Sequence, residues 1–289
     1  PKGLYIDNST GIIFGTPVKK QKAADYRVTV SNNISSMYET ITIEIGTPEL
    51  SVCNGQVAAR PVSNEWGSNF QVWLLRHPEF AYLADADGLG GDDIGFCIAI
   101  RNPILFLHGR DASAYSLTWA YNYFIEKGYS SCELYAITWT SSGNPRDRQI
   151  KNYNHHRGTQ TAIIRDTLQA IKKYTGLNKV DVVAWSMGVT MGMKAIQGGI
   201  AYNDADRGPE SICSLGTSLH ESVDVFLGVV GLPRGWPPCK TGSTIDLDKN
   251  KKYDYTEDAC GPNGFKVNSP FLIDLNGGPL NNMNPKPLA

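Results

Sequence analysis

The sequence predicts an α/β fold, with a mostly parallel, doubly wound sheet covered by helices on both faces, preceded by a small β module. Three observations carry this. From residue 103 onward, short apolar runs alternate with stretches of helical period, the pattern of a parallel sheet buried on both faces. Residues 182–188, Val-Val-Ala-Trp-Ser-Met-Gly, join one such run to a helical stretch through a serine held between small residues. Residues 1–46 alternate at period two instead, as half-buried antiparallel strands do.

Taken in order, the segment from Gly3 to Pro17 reads as short strand, Asx-rich turn, short strand, and Tyr26–Val30 and Thr40–Ile45 are the period-two strands. The run Gly-Leu-x-Ile-Asp followed by Thr-Gly-x-Ile-x-Gly-Thr-Pro resembles the second half of an immunoglobulin-like or cadherin-like module, which implies a partial β-sandwich. Thr47-Pro48-Glu49-Leu50 is a short linker, and the expected domains are 1–47 and 48–289. Phe70–Leu75 fits a strand or a buried helical turn equally. Asp85–Asp93 is expected to be a flexible acidic loop; it has the look of a calcium loop but lacks the spaced ligand series and the closing glutamate, so no metal is assigned.

Pro103–Leu107 is a continuous apolar run, expected of a strand buried on both faces. A helix is expected over 115–127, with Leu117, Ala120, Tyr121, Phe124 and Ile125 on one face and Gly128 beyond its end. Leu134–Trp139 is the next strand. Thr161–Tyr174 is the next helix, with Ile164, Leu168 and Ile171 in register and Gly176 as its stop. Strand 179–184, a helix over Met187–Ile196 and strand 223–230 complete the alternation.

The chemistry sits where strand 179–184 ends. Strand, sharp turn and helix around a serine make a nucleophile elbow, which strains the serine backbone and brings strand and helix close together. Residues two before and two after the serine must therefore be small, and they are Ala184 and Gly188, Ala184 standing where glycine is usual. Ser186 is the candidate nucleophile. An attacking serine also needs backbone N–H donors for the oxyanion, one after the serine and one from the loop following an earlier strand. His108-Gly109-Arg110 ends strand 103–107 and suits that part, which assigns the oxyanion hole to the amides of Met187 and Arg110. His108 is read as structural, holding the loop by hydrogen bonds. Ligand sites in such sheets lie beyond the carboxyl ends of the strands, where Ser186 and Arg110 both fall.

Other function classes find little support. A net charge of −1 gives no electrostatic case for nucleic acid or acidic membranes. No apolar stretch approaches the ~18 residues that cross a bilayer. Cys53, Cys97, Cys132, Cys213, Cys239 and Cys260 show no C-x-x-C spacing, so zinc and dithiol chemistry are unsupported. Their even number, with glycan acceptors at Asn8 and Asn33, favours a secreted, extracellular protein with disulfides, and proximity suggests Cys239–Cys260 as one pair. The chain opens Pro-Lys-Gly and shows no signal peptide, so it reads as an internal fragment.

From Arg101–Gly109, through Gly128-Tyr129, Glu133–Trp139, Lys179–Val189, Lys194–Gly199 and Val223–Gly231 to Phe271–Asn276, the chain resembles the class 2 lipases, a secreted α/β-hydrolase group related to small bacterial lipases. The resemblance implies an α/β-hydrolase fold and hydrolysis of a lipid or small ester through an acyl-enzyme on Ser186, without metal or cofactor. Trp185 replaces the histidine often found beside the serine, and packing is its expected role.

A serine needs a base and an orienting carboxylate, in the chain order Ser, Asp or Glu, His in this fold. His220 alone follows Ser186, and it enters strand 223–230 at the sheet's opposite end. His155 and His156 lie on the correct face but precede the serine, so contacts at a substrate rim or within a loop suit them better than the role of base. Asp246, Asp248, Asp254, Glu257 and Asp258 read as solvated charges. The expectation is a domain incomplete at its C-terminus, with its acid and base beyond Ala289. The alternative is a non-catalytic extracellular binding protein that uses the hydrolase fold as scaffold.

Overall fold

The structure, a computed structural model, describes residues 4–6, 11, 13–15, 21–32, 34–45, 51–55, 66–91, 98–110, 112–139, 156–202, 212–236, 239 and 264–277. The chain divides into two compact units, Pro1–Leu50 and Ser51–Ala289. Asn8, Asn33, Cys97, His155, Cys260 and the acidic residues 246–258 lie outside the described residues.

In the first unit, β1 (Leu4–Ile6) pairs antiparallel with β2 (Ile13–Gly15), and β3 (Gln21–Ser31) with β4 (Ser36–Ile45). The period-two strands are therefore longer than Tyr26–Val30 and Thr40–Ile45. Cross-strand pairs hold the ribbon: the Arg27 guanidinium lies 3.4 Å from the Tyr38 ring centre, and the Thr42 hydroxyl donates to Asp25 at 2.6 Å.

The second unit is built on β5 (Gly88–Gly90), β6 (Ile104–Leu107), β7 (Leu134–Ile137), β8 (Val180–Trp185) and β11 (Val223–Val229) in the order β11-β8-β6-β7-β5. All pairs are parallel except β5–β7. The intervening β9 (Ile200–Tyr202) and β10 (Ile212–Ser214) form a separate antiparallel pair. The chain steps from β6 outward to β7, then returns past β6 to β8, so the sheet reverses its order between β6 and β8. A crevice opens at the carboxyl ends of strands that part in this way.

Helices α1 (Ser68–Leu75), α2 (Thr118–Glu126), α3 (Gly158–Thr175), α4 (Met187–Gln197) and α5 (Pro270–Asn276) accompany the sheet. On one face, Ile163, Ile164, Leu168 and Ile171 of α3 and Val189, Met191 and Ala195 of α4 join Leu105, Leu107, Val180 and Val182 in one buried cluster. On the other, Ala120 of α2 packs with Ala114 and Leu117 against Ile104, Phe106, Leu134 and Ala136. None of the helices is long and apolar enough to cross a membrane among the described residues.

The structure decides one open reading and alters three expectations. Phe70–Leu75 is helical, with Phe70 and Leu74 buried. The stretch 115–127 begins as a 3-10 turn over Ala114–Leu117, and Ile125 is exposed rather than on the packed face. Strand Leu134–Trp139 stops at Ile137, and Trp139 turns inward to stack on His108 with ring centres 4.9 Å apart. The acidic segment is not a loop throughout: Ala81–Asp85 is a 3-10 helix and Gly88–Gly90 is a strand. Asp87 accepts from the Thr138 hydroxyl at 2.8 Å, and its carbonyl takes the Thr138 N–H at 2.8 Å.

Cys53 and Cys213 form a disulfide, and Cys132 and Cys239 are also disulfide-bonded. The partner proposed for Cys239, Cys260, falls outside the described residues.

Candidate active site

Ser186 stands between β8 and α4 with φ 52° and ψ −120°. Such a left-handed backbone is unusual for a residue with a side chain and persists only where the surroundings hold it. Two bonds do so. The Ser186 N–H donates to the Val229 carbonyl at 2.9 Å, and its carbonyl accepts the Val189 N–H at 3.1 Å. The first turn of α4 leaves its leading amides without helical partners, and Met187 carries the first of these. The positive end of the helix dipole coincides with them.

Close packing explains the small residues. A methyl group on Gly188 would lie 2.5 Å from the His108 carbonyl oxygen and 2.7 Å from that of Leu107, so α4 seats directly on the end of β6. Ala184 is fully buried and registers with Leu107 on one side and Gly228 on the other. A methyl on Gly109 would lie 3.0 Å from the Ser186 Cβ and 3.1 Å from the Trp185 ring. The loop after β6 therefore rests against the elbow, and Arg110 follows Gly109 in that loop. The contact seen is that of Gly109 with Ser186 and Trp185, and Met187 opens α4 directly after the serine.

His108 is fully buried. Its Nε2 accepts from the Trp139 N–H at 3.3 Å, which leaves Nδ1 to donate to the Gly109 carbonyl at 2.6 Å. Burial pushes its pKa down from 6.5 to about 4, against the opposing bond to Gly109. The ring is a neutral brace for the Gly109 loop. His220 sits in a 3-10 turn, His220–Ser222, that leads into the amino end of β11, away from Ser186. His77 Nδ1 bonds the Trp73 carbonyl at 2.7 Å.

His156 is neither at a rim nor in an open loop. It is buried, stacked on Phe271 with ring centres 3.9 Å apart, edge-on to Phe265, and bonded through Nε2 to the Thr190 hydroxyl at 2.7 Å. Sequence reading passed over Thr190 and Val229. Thr190 at least has a signal, since it stands four residues after Ser186 and one helical turn beneath it.

Trp185 is 40% exposed and meets Trp119, 64% exposed, edge-on at 6.4 Å, so it is a partly open aromatic beside the serine rather than a packed one. Among the described residues no cluster of His, Cys, Asp and Glu is arranged to hold a metal.

The family model for class 2 lipases matches residues 101–284, and an Ig-domain model matches residues 1–46. The chain is similar to crystal structures of the Bacillus licheniformis lipase BlEst2. The mature form shows 17% identity over 64% of this chain and 62% of that one (TM-score 0.35), and the propeptide form 17% over 53% and 27% (TM-score 0.33). It is also similar to Aspergillus fumigatus lipase B, with 14% identity over 54% and 30% (TM-score 0.34). In each case this chain spans less than two thirds of the relative's length.

Proposed function

We propose a serine ester hydrolase, on the premise that this chain belongs to the class 2 lipase family and carries the α/β-hydrolase fold. The observation that carries the reading is Ser186 itself: a serine in a left-handed backbone conformation, at the carboxyl end of β8, with the Gly109 loop packed against it. Its hydroxyl attacks the carbonyl carbon of a lipid or small ester. The amides of Met187 and Arg110 hold the oxyanion, each donor contributing ~3–4 kcal/mol to the transition state. Collapse expels the alcohol and leaves an acyl group on Ser186, which water then removes. Neutral His108 fixes the loop that presents the Arg110 amide and takes no proton.

The base and the orienting carboxylate are not assigned within the described residues: His77, His108 and His156 bond groups other than the Ser186 hydroxyl, and His220 stands at the amino end of β11. Secretion belongs to the same proposal. Its support is the Cys53–Cys213 disulfide and the bonded state of Cys132 and Cys239, because such bonds persist in oxidising compartments.

A fluorophosphonate probe applied to the full-length protein should label Ser186, with labelling abolished in Ser186→Ala. Labelling that survives the substitution removes Ser186 as nucleophile. No labelling of the unsubstituted protein would favour a binding scaffold instead.

A further inference from the structure

The helix that presents the Met187 amide is gripped from below by groups distant in sequence. Thr190 is fully buried on α4, and its hydroxyl donates to the Met187 carbonyl at 2.9 Å. A hydroxyl has one hydrogen. With that hydrogen directed at Met187, the 2.7 Å contact with His156 requires the imidazole Nε2–H to be the donor. The bonds run in one direction, from His156 Nε2–H to Thr190 Oγ1, and from Thr190 Oγ1–H to the Met187 carbonyl. The imidazole is itself immobilised. Phe271 of α5 stacks on one face at an interplanar angle of 22°, and Phe265 meets it at 83°.

From this relay we infer that His156 is a positioning residue for the oxyanion hole, acting through Thr190 on the backbone of Met187. The inference rests on the reading of Ser186 as nucleophile and the Met187 amide as oxyanion donor. A serine forced to φ 52° has little tolerance for motion of the helix that follows it. The Met187 N–H adjoins that strained residue, and the Met187 carbonyl is where the relay ends. Anchoring the carbonyl restrains the peptide planes on both sides of the Met187 Cα. His156 never touches substrate. It ties the segment ahead of α3 and the face of α5 to the first turn of α4, so three parts of the chain must be assembled before the amide is aimed.

The test uses the full-length protein and a fluorophosphonate, with the inactivation constant kinact, the apparent KI and the final labelled fraction measured separately. Thr190→Val and His156→Phe keep shape and packing but remove the relay. Each is expected to lower kinact about tenfold to a hundredfold, the scale of a displaced catalytic donor, with KI and the labelled fraction unchanged. Thr190→Ser and His156→Gln retain the required hydroxyl and N–H and should restore kinact to within about threefold of the unsubstituted protein. A purely structural role would lower the labelled fraction and leave kinact of the folded molecules alone, which overturns the inference, as does an unchanged kinact at full labelling. If Thr190→Val does not fold, Thr190→Ala removes the hydroxyl without new bulk and is read in the same way. Failure of the unsubstituted protein to label Ser186 defeats the nucleophile reading and this inference together; labelling with kinact indifferent to the relay defeats this inference alone.

Discussion

His108 makes the loop beneath Ser186 sensitive to acid. Its folded pKa of about 4 lies below the ordinary 6.5, so between these values the unfolded chain binds more protons than the folded one. Stability from this group is complete above 6.5 and is lost as the pH falls to about 4, an effect of about 3 kcal/mol at most. Urea unfolding near pH 7 and near pH 4.5 should show a larger loss in the unsubstituted protein than in His108→Gln, which cannot titrate. Equal losses would mean that the imidazole is not held neutral. The elbow residues were legible in sequence because a strained turn leaves a local signature: a serine flanked at two residues by small side chains, with an apolar run before it. The pairing of Thr190 with His156 left none, although the place of Thr190 one turn after the serine can be read locally. Their bond spans 34 positions and exists only because α3, α4 and α5 pack together.

The entries to β6 and β7 share one buried carboxylate. Glu133 accepts the N–H groups of Ile100, Arg101 and Ser130 at 2.9, 2.8 and 3.0 Å and pairs with Arg101 at 3.3 Å. Burial alone would raise its pKa, but those backbone donors and Arg101 together bring it below the usual carboxylate value. Glu133→Ala strands the three amides and should destabilise the protein by about 2–4 kcal/mol, read from chemical denaturation. A change under about 0.5 kcal/mol would show the amides rehydrated at no cost. At this scale, strands β6 and β8 and helix α3 were readable because each carries a sustained apolar pattern. β5 was not: it has three residues, two of them glycine, and depends on β7 for its pairing. Its Gly88 lies so close to the Trp66 indole that a methyl there would come within 2.4 Å. That closeness is a tertiary fact with no periodicity to announce it.

Across the second unit, the Cys53–Cys213 bond joins residues 160 apart in sequence, and the two cysteines pack with Ala162, Ala201 and Leu215. On the loop-entropy model a closure of that length stabilises by about 5 kcal/mol. The double variant Cys53→Ser/Cys213→Ser should melt several degrees lower in scanning calorimetry, and an unchanged Tm would argue that the packing alone suffices. An even cysteine count foretold disulfides, whereas pairing by nearness in sequence could not find a partner that only folding brings near.

The bond from the Ser186 N–H to the Val229 carbonyl has a consequence in time rather than in geometry. Val229 ends β11, the outermost strand of this sheet on its side among the described residues. Edge strands open at lower free energy than central ones. Each fraying of β11 frees the serine to relax from its left-handed conformation, while β6, β7 and β8 stay paired. On warming, reactivity toward the fluorophosphonate should then disappear below the temperature at which circular dichroism reports melting. The working lifetime of the elbow would be set by how often β11 lets go, not by the stability of the core beneath it.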